Sequence, residues 1–210
     1  MCAAADDTLV AILAGGAGAR VGGADKGLLP LCGKPLIEHV VDRLRPQGTR
    51  LLIVANRNPD SYARFAPVVH DAGEGHAGPL AGLVAIFDFI VANRHALPRW
   101  LLTAPVDCPD PPRDLAVRLR VALTENARAR CARLAPAGKP EPMFAMYRIG
   151  EEPEAWLVSV RAALREHGSV MRWQAAFDPV AVDGGEVARA LHNLNTPEDF
   201  EEYERSHAAR

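Results

Sequence analysis

The apolar run Leu9-Val10-Ala11-Ile12-Leu13 empties directly into the small-residue stretch Ala14-Gly15-Gly16-Ala17-Gly18-Ala19-Arg20. An uninterrupted apolar strand has no polar face to turn to water, so it belongs in a sheet covered on both sides, as parallel strands are. The rest of the chain agrees with this, because strand-like and helix-like segments alternate. Leu51–Val54, Pro67–His70 and Trp100–Ala104 predict further strands, and two more are expected near 129–134 and 143–148. A helix is expected from Pro35, with Leu36, Ile37, Val40, Val41 and Leu44 at helical spacing. A second, between Pro79 and Arg94, carries so broad an apolar face that it should be largely buried. Others are expected over about 112–125 and 151–166. The last opens at Thr196-Pro197-Glu198-Asp199, with Thr196 as N-cap and Pro197 at the first position. The expected fold class is α/β, with a mainly parallel central sheet flanked by helices.

Length and charge narrow the partners. The 210 residues suit a single domain spanning 1–210, with residues 1–7 as a flexible lead. A net charge of −2 and a pI of about 6.4 give no basic footprint for nucleic acid. No apolar run nears the roughly 18 residues of a membrane span. Asp6 and Asp7 stand before the first apolar run, where a signal peptide would be basic. A cytoplasmic protein is expected, without nucleic acid or membrane as partner. Cys2, Cys32, Cys108 and Cys131 lie far apart, so ordinary thiols are expected rather than a disulfide framework or a zinc site. The chain has only three lysines among 24 basic residues, and two of them, Lys26 and Lys34, fall early. That pattern hints at positions where a compact ammonium is wanted.

The glycine stretch is neither of two common phosphate loops. Val21 stands where G-x-G-x-x-G needs its last glycine, and Gly33-Lys34 is followed by Pro35 instead of Ser or Thr. What remains is a strand opening into a loop whose amides can wrap an anion, with Arg20 and Lys26 as countercharge for a polyphosphate. A flexible surface loop has the same composition. Asp107 follows the strand that ends at Ala104, on the sheet edge where α/β folds bind ligands. A carboxylate there, facing a triphosphate, would hold Mg²⁺. The alternative is an Asp that caps the turn before Pro109.

The run from Leu13 to Gly27 resembles the nucleotide-binding signature of the nucleotidyltransferases: LAGG, a variable triplet, R-M-G, then K. Its form Gly22-Gly23-Ala24-Asp25-Lys26-Gly27 is most similar to the molybdenum cofactor guanylyltransferases, which join GMP from GTP to molybdopterin. Further matches follow in order: Ala55-Asn56-Arg57, His70-Asp71, Gly78-Pro79-Leu80-Ala81-Gly82, Pro105-Val106-Asp107-Cys108-Pro109 and Asn193-Leu194-Asn195-Thr196-Pro197-Glu198. The resemblance implies a Rossmann-like nucleotidyltransferase fold with Arg20, Lys26 and Asp107 as catalytic residues. It implies GTP binding by Leu13, Ala14, Gly15, Gly16, Lys26, Asp71 and Asp107, with Mg²⁺ on Asp107. GTP and molybdopterin or the molybdenum cofactor are the implied partners, with room for cofactor-delivery proteins.

Some readings stay open at this stage. Gly78–Gly82 offers free amides at a helix start, yet its small residues equally suit tight packing. Asn193 and Asn195 belong to a segment that returns to the active site in the family, but they also suit local turns. Two residues depart from the pattern: Val21 for Met, and Val54 for an Asn whose polar contact a valine cannot make. Rival readings are a cytidylyltransferase for the same cofactor, a sugar-phosphate nucleotidyltransferase, and a nucleotide-binding accessory protein without turnover.

Overall fold

A computed structural model describes residues 7–15, 24–71, 78–185 and 191–208. Its main sheet has seven strands in the order β5-β4-β1-β6-β8-β7-β9. These are β1 (Thr8–Leu13), β4 (Arg50–Val54), β5 (Val68–Val69), β6 (Trp100–Pro105), β7 (Cys131–Leu134), β8 (Glu141–Arg148) and β9 (Val180–Val182). β5, β4, β1 and β6 pair in parallel, and β9 pairs in parallel with β7. β8 pairs antiparallel with both β6 and β7, so it alone runs against the others. The sheet is mainly parallel, as the alternation of segments implied.

The continuous apolar run of β1 is explained by its two covered faces. Val10 and Ile12 enter one core layer, which also holds α1 (Leu36–Leu44) and α4 (Leu115–Glu125). Leu9, Ala11 and Leu13 enter the other, with α3 (Pro79–Ala92) and α5 (Pro153–Arg165). α3 buries nearly every residue of its first two turns, from Leu80 to Phe87. Gly82 is required there by close approach, because a Cβ would lie 2.8 Å from Leu13 Cδ2 and 3.6 Å from Val54 Cγ1. Val54 is therefore a core residue, 1% exposed, and its departure from the family pattern is absorbed by packing.

Several boundaries move for local reasons. Pro35 does not open α1; it pairs with Pro30 in a hairpin of β2 (Pro30–Leu31) and β3 (Lys34–Pro35), and the helix starts at Leu36. The hairpin turns at Cys32 and Gly33, both at positive φ, the conformation a two-residue turn demands. The strand expected over Pro67–His70 shortens to Val68–Val69, since Pro67 has no N–H to pair and offers only its carbonyl, to Ile53. α4 begins three residues later than expected, at Leu115. Gln47 accepts there from the Ala116 N–H and donates to the Pro112 carbonyl, taking the place of a local cap. Two short helices, α2 (Pro59–Ala63) and α6 (Val170–Ala175), and the edge strand β9 had no forecast.

The C-terminal helix, α7 (Pro197–Ala208), has the expected start. Thr196 Oγ1 accepts from the Asp199 N–H, and the Asp199 carboxylate accepts in return from the N–H groups of Asn195 and Thr196. These reciprocal bonds satisfy free amides at the helix start. Leu194 and Phe200 then pack on Leu31 and Leu36, so α7 lies against the β2–β3 hairpin. The hint about early lysines fails for Lys34. It is exposed and pairs with Glu38 at 3.2 Å and Asp42 at 3.0 Å, an ordinary surface ion pair. Among the described residues no helix is long and apolar enough to cross a membrane.

Candidate active site

Parallel strands leave their carboxyl ends on one edge, and the edge formed by β5, β4, β1 and β6 collects the expected residues. Backbone bonds fix the ends of these strands: the Ala14 N–H donates to the Val54 carbonyl at 2.9 Å, and the Val106 N–H to the Leu13 carbonyl at 3.0 Å. Ala14 and Gly15 leave β1, Asn56 leaves β4, Asp71 leaves β5 and Asp107 leaves β6. Asp71 is held from below, its N–H donating to Asn56 Oδ1 at 2.8 Å. Its carboxylate faces Gly15, where a Cβ would stand 3.6 Å from Asp71 Oδ2. The Leu13 side chain is core and Ala14 packs against the opposite core layer, so their direct hydrogen-bonding groups for a ligand are main-chain ones. Gly16 and Arg20, like Val21 and residues 1–6, lie outside the described residues.

Lys26 opens a single 3-10 turn, Lys26–Leu28, that is pinned from both sides. Asp25, immediately before it, accepts from the Tyr62 hydroxyl and from Asn58 Nδ2 at 3.0 Å. Gly27, the middle residue of the turn, sits where a Cβ would collide with that hydroxyl and come within 3.1 Å of Val106 Cγ2. Tyr62 is wholly buried, and burial, then its bond to Asp25, pushes its phenol far above the ordinary range, so it stays a donor. The pinned turn aims Lys26 at the end of β6. Its Nζ donates to Asn195 Oδ1 at 2.7 Å and lies 3.5 Å from Asp107 Oδ2. The second distance exceeds a close charge-assisted bond of about 2.7–2.9 Å.

Asp107 is the electrostatic focus of the site. Burial pushes its carboxyl above the ordinary value of 3.8, while the Lys26 ammonium pulls it down; burial prevails. Oδ1 is shielded from solvent and has no hydrogen-bond partner among the described residues. A buried carboxylate oxygen without a donor is costly, and a cation would remove that cost. Among the described residues no group of three or more His, Cys, Asp or Glu could hold a metal. Mg²⁺ needs few protein ligands, since it takes much of its oxygen shell from phosphates and water, and Asp107 would supply a carboxylate for it.

The structure thus brings Lys26 and Asp107 together and places Leu13, Ala14, Gly15 and Asp71 on the same edge. It also separates the two readings of Asn195: this residue reaches Lys26 and is no mere turn former. Asn193 contributes its main chain instead, its carbonyl accepting from Asn195 Nδ2 at 3.3 Å, while its side chain is exposed. The pinning residues Asn58 and Tyr62 were not foreseen. Asn58-Pro59 does mark a helix start, but nothing local ties Tyr62 to Asp25.

A mainly parallel sheet whose strand ends meet a lysine from the Lys26–Leu28 turn has the architecture of a Rossmann-like nucleotidyltransferase. The chain belongs to the family of MobA-like NTP transferase domains, whose model matches residues 10–180. It is 38% identical over 202 residues to a molybdenum cofactor guanylyltransferase of Rhodopseudomonas palustris, covering 94% of this chain and 93% of that one. A second protein of that name, from Shewanella amazonensis, is 38% identical over 192 residues, covering 91% and 92%. Among solved structures, molybdopterin-guanine dinucleotide biosynthesis protein A from Archaeoglobus fulgidus superposes with a TM-score of 0.71 at 24% identity, covering 96% of this chain and 100% of that one. A 4-diphosphocytidyl-2C-methyl-D-erythritol synthase from Anaerococcus prevotii gives a TM-score of 0.67 at 12% identity, covering 98% and 100%, a likeness of fold alone.

Proposed function

We propose that this enzyme transfers GMP from GTP to molybdopterin, with or without bound molybdenum, in the cytoplasm. The observation that carries the reading is Lys26 beside Asp107, whose Oδ1 has no partner among the described residues, in a chain so similar to guanylyltransferases. A terminal phosphate oxygen of the acceptor attacks the α-phosphorus of GTP. The bond from that phosphorus to the bridging oxygen breaks, and pyrophosphate leaves with the electron pair. No general base is needed, because a phosphate monoester with a second pKa of about 6 is already a dianion near neutral pH.

The protein's part is therefore positioning and charge neutralisation. Lys26 lays its ammonium against the phosphates, Asn195 fixes where that ammonium points, and Arg20 adds charge from the glycine stretch. Main-chain N–H groups of Gly15 and Gly16 and the Asp71 carboxylate hold the nucleotide, above a strand end that Leu13 and Ala14 fix through their bonds to Val106 and Val54. Asp107 would bind Mg²⁺, which supplies neutralisation of the triphosphate's negative charge.

Base choice tests the reading. A site that hydrogen-bonds a base edge rejects analogues strongly, since the wrong base leaves buried groups unpaired. The core position of Val54 removes one polar contact, which costs only several-fold if it is worth about 1 kcal/mol. GTP is expected to bind at least about ten-fold more tightly than ATP or CTP with Mg²⁺ present, measured by titration calorimetry. Equal dissociation constants would leave a nucleotidyltransferase and remove the guanylyl assignment. Tight nucleotide binding without pyrophosphate release in the presence of molybdopterin would favour an accessory protein.

A further inference from the structure

Asp110 stands three residues beyond Asp107, outside the residues assigned to binding or catalysis, and it gathers side chains from two helices. It accepts from Arg43 Nη2 of α1 at 2.5 Å and from the Tyr203 hydroxyl of α7 at 2.6 Å. His207 Nε2 of α7 lies 3.5 Å away, with its ring stacked on Tyr203 at 3.9 Å between centroids. Burial raises the Asp110 carboxyl, but the bond from Tyr203 and the charge of Arg43 outweigh it and hold the group below its ordinary value. Asp110 is thus ionised at neutral pH and fastens α7 to the loop that carries Asp107.

The other end of the same element touches the site. In the segment leading into α7, the Leu194 N–H donates to the Asp107 carbonyl at 2.7 Å, and Asn195 Oδ1 takes the Lys26 ammonium. Asn195 competes for that ammonium with Asp107 and leaves the Lys26–Asp107 pair at 3.5 Å. If α7 lifts, Lys26 loses its neutral acceptor, and among the described residues the Asp107 carboxylate remains to draw it in.

We propose that α7 is a strap that positions Lys26, and that Asp110 is the positioning residue that fastens it. Undocking α7 withdraws Asn195, lets Lys26 close on Asp107, and removes both from the places where a nucleotide needs them. This extends the guanylyl-transfer reading and rests on it for its effect on rate, but the coupling of Asp110 to Lys26 can be measured without any substrate.

Only three lysines are present, so selective ¹³C labelling of lysine gives three resolvable side-chain signals, and Lys26→Arg identifies that of Lys26. In Asp110→Asn the Lys26 signal is expected to move while that of Lys139 stays, and kcat to fall on the order of ten-fold, the effect of a slightly misplaced group. Lys26→Ala with Asp110→Asn should be no slower than Lys26→Ala alone, because Asp110 acts through Lys26. A Lys26 signal that does not move overturns the strap, whatever the turnover. Additive losses in the double variant overturn it too, and point to a purely structural Asp110. A moved Lys26 signal in a protein that transfers no guanylyl group supports the strap and overturns the functional reading instead. Should Asp110→Asn fail to fold, Tyr203→Phe removes one hydroxyl, keeps the ring stack on His207, and carries the same comparisons.

Discussion

Lys26→Ala is expected to lower turnover by about 10²-fold or more, the cost of losing one donor aimed at transition-state charge and equivalent to about 2.7 kcal/mol. The geometry explains why the effect should fall on chemistry more than on folding. Lys26 is half-buried, its ammonium rests on Asn195 and near Asp107, and its neighbours Asp25 and Gly27 carry the anchoring of the turn. Removing the ammonium leaves Tyr62 on Asp25 and the turn in place. Lys26→Arg should not restore the rate, because a planar fork has a different reach and donor geometry from a compact ammonium. Steady-state rates, with folding confirmed by circular dichroism, check both variants. Wild-type turnover in Lys26→Ala would remove the residue from the machinery.

The parts of this fold that local pattern dictates were legible in the sequence. β1 is apolar from Leu9 to Leu13 because both of its faces are covered, and the buried positions of α1 fall at the helical spacing of Leu36, Ile37, Val40, Val41 and Leu44. What escaped is held by contacts distant along the chain. The β2–β3 hairpin has only two residues in each strand, too few for any periodicity, and is kept in place by α7. β9 is a short, half-exposed edge strand that exists because β7 offers it a partner. The direction of β8 follows from its connection, since the six residues between Leu134 and Glu141 are too few for a parallel crossover.

The site divides the same way. Lys26 and Asp107 were marked by motif and by position at a strand end. The acceptor that fixes Lys26 comes from 169 residues further along, and no local spacing encodes a pairing across that distance. Tyr62 carries no motif at all. Its value lies in reaching Asp25 from a helix of five residues that only the folded chain brings there.

Asp107→Asn should separate activity from stability. Burial holds the carboxyl above its ordinary value of 3.8, so the native state prefers the protonated form and charging it costs stability. The sign follows directly. A raised carboxyl contributes stability that is present below the unfolded value of about 3.9 and is lost as pH rises through the higher folded value. Charge on this partly desolvated group, whose Oδ1 has no donor among the described residues, weighs against the fold once the carboxyl ionises, and asparagine removes that charge. The melting temperature of Asp107→Asn, without metal or nucleotide, is expected to equal or exceed that of the wild type at pH 7, with the difference vanishing near pH 3. Lys26 keeps its bond to Asn195 in the variant, so the ammonium is not stranded. Turnover should nevertheless fall by about 10²-fold or more, with the metal concentration for half-maximal rate rising about ten-fold, because a neutral amide is a poor ligand for a hard cation. Thermal scans at both pH values and rate measurements across a Mg²⁺ series decide the case. A lowered melting temperature at pH 7 with unchanged metal dependence would make Asp107 a turn-capping residue ahead of Pro109.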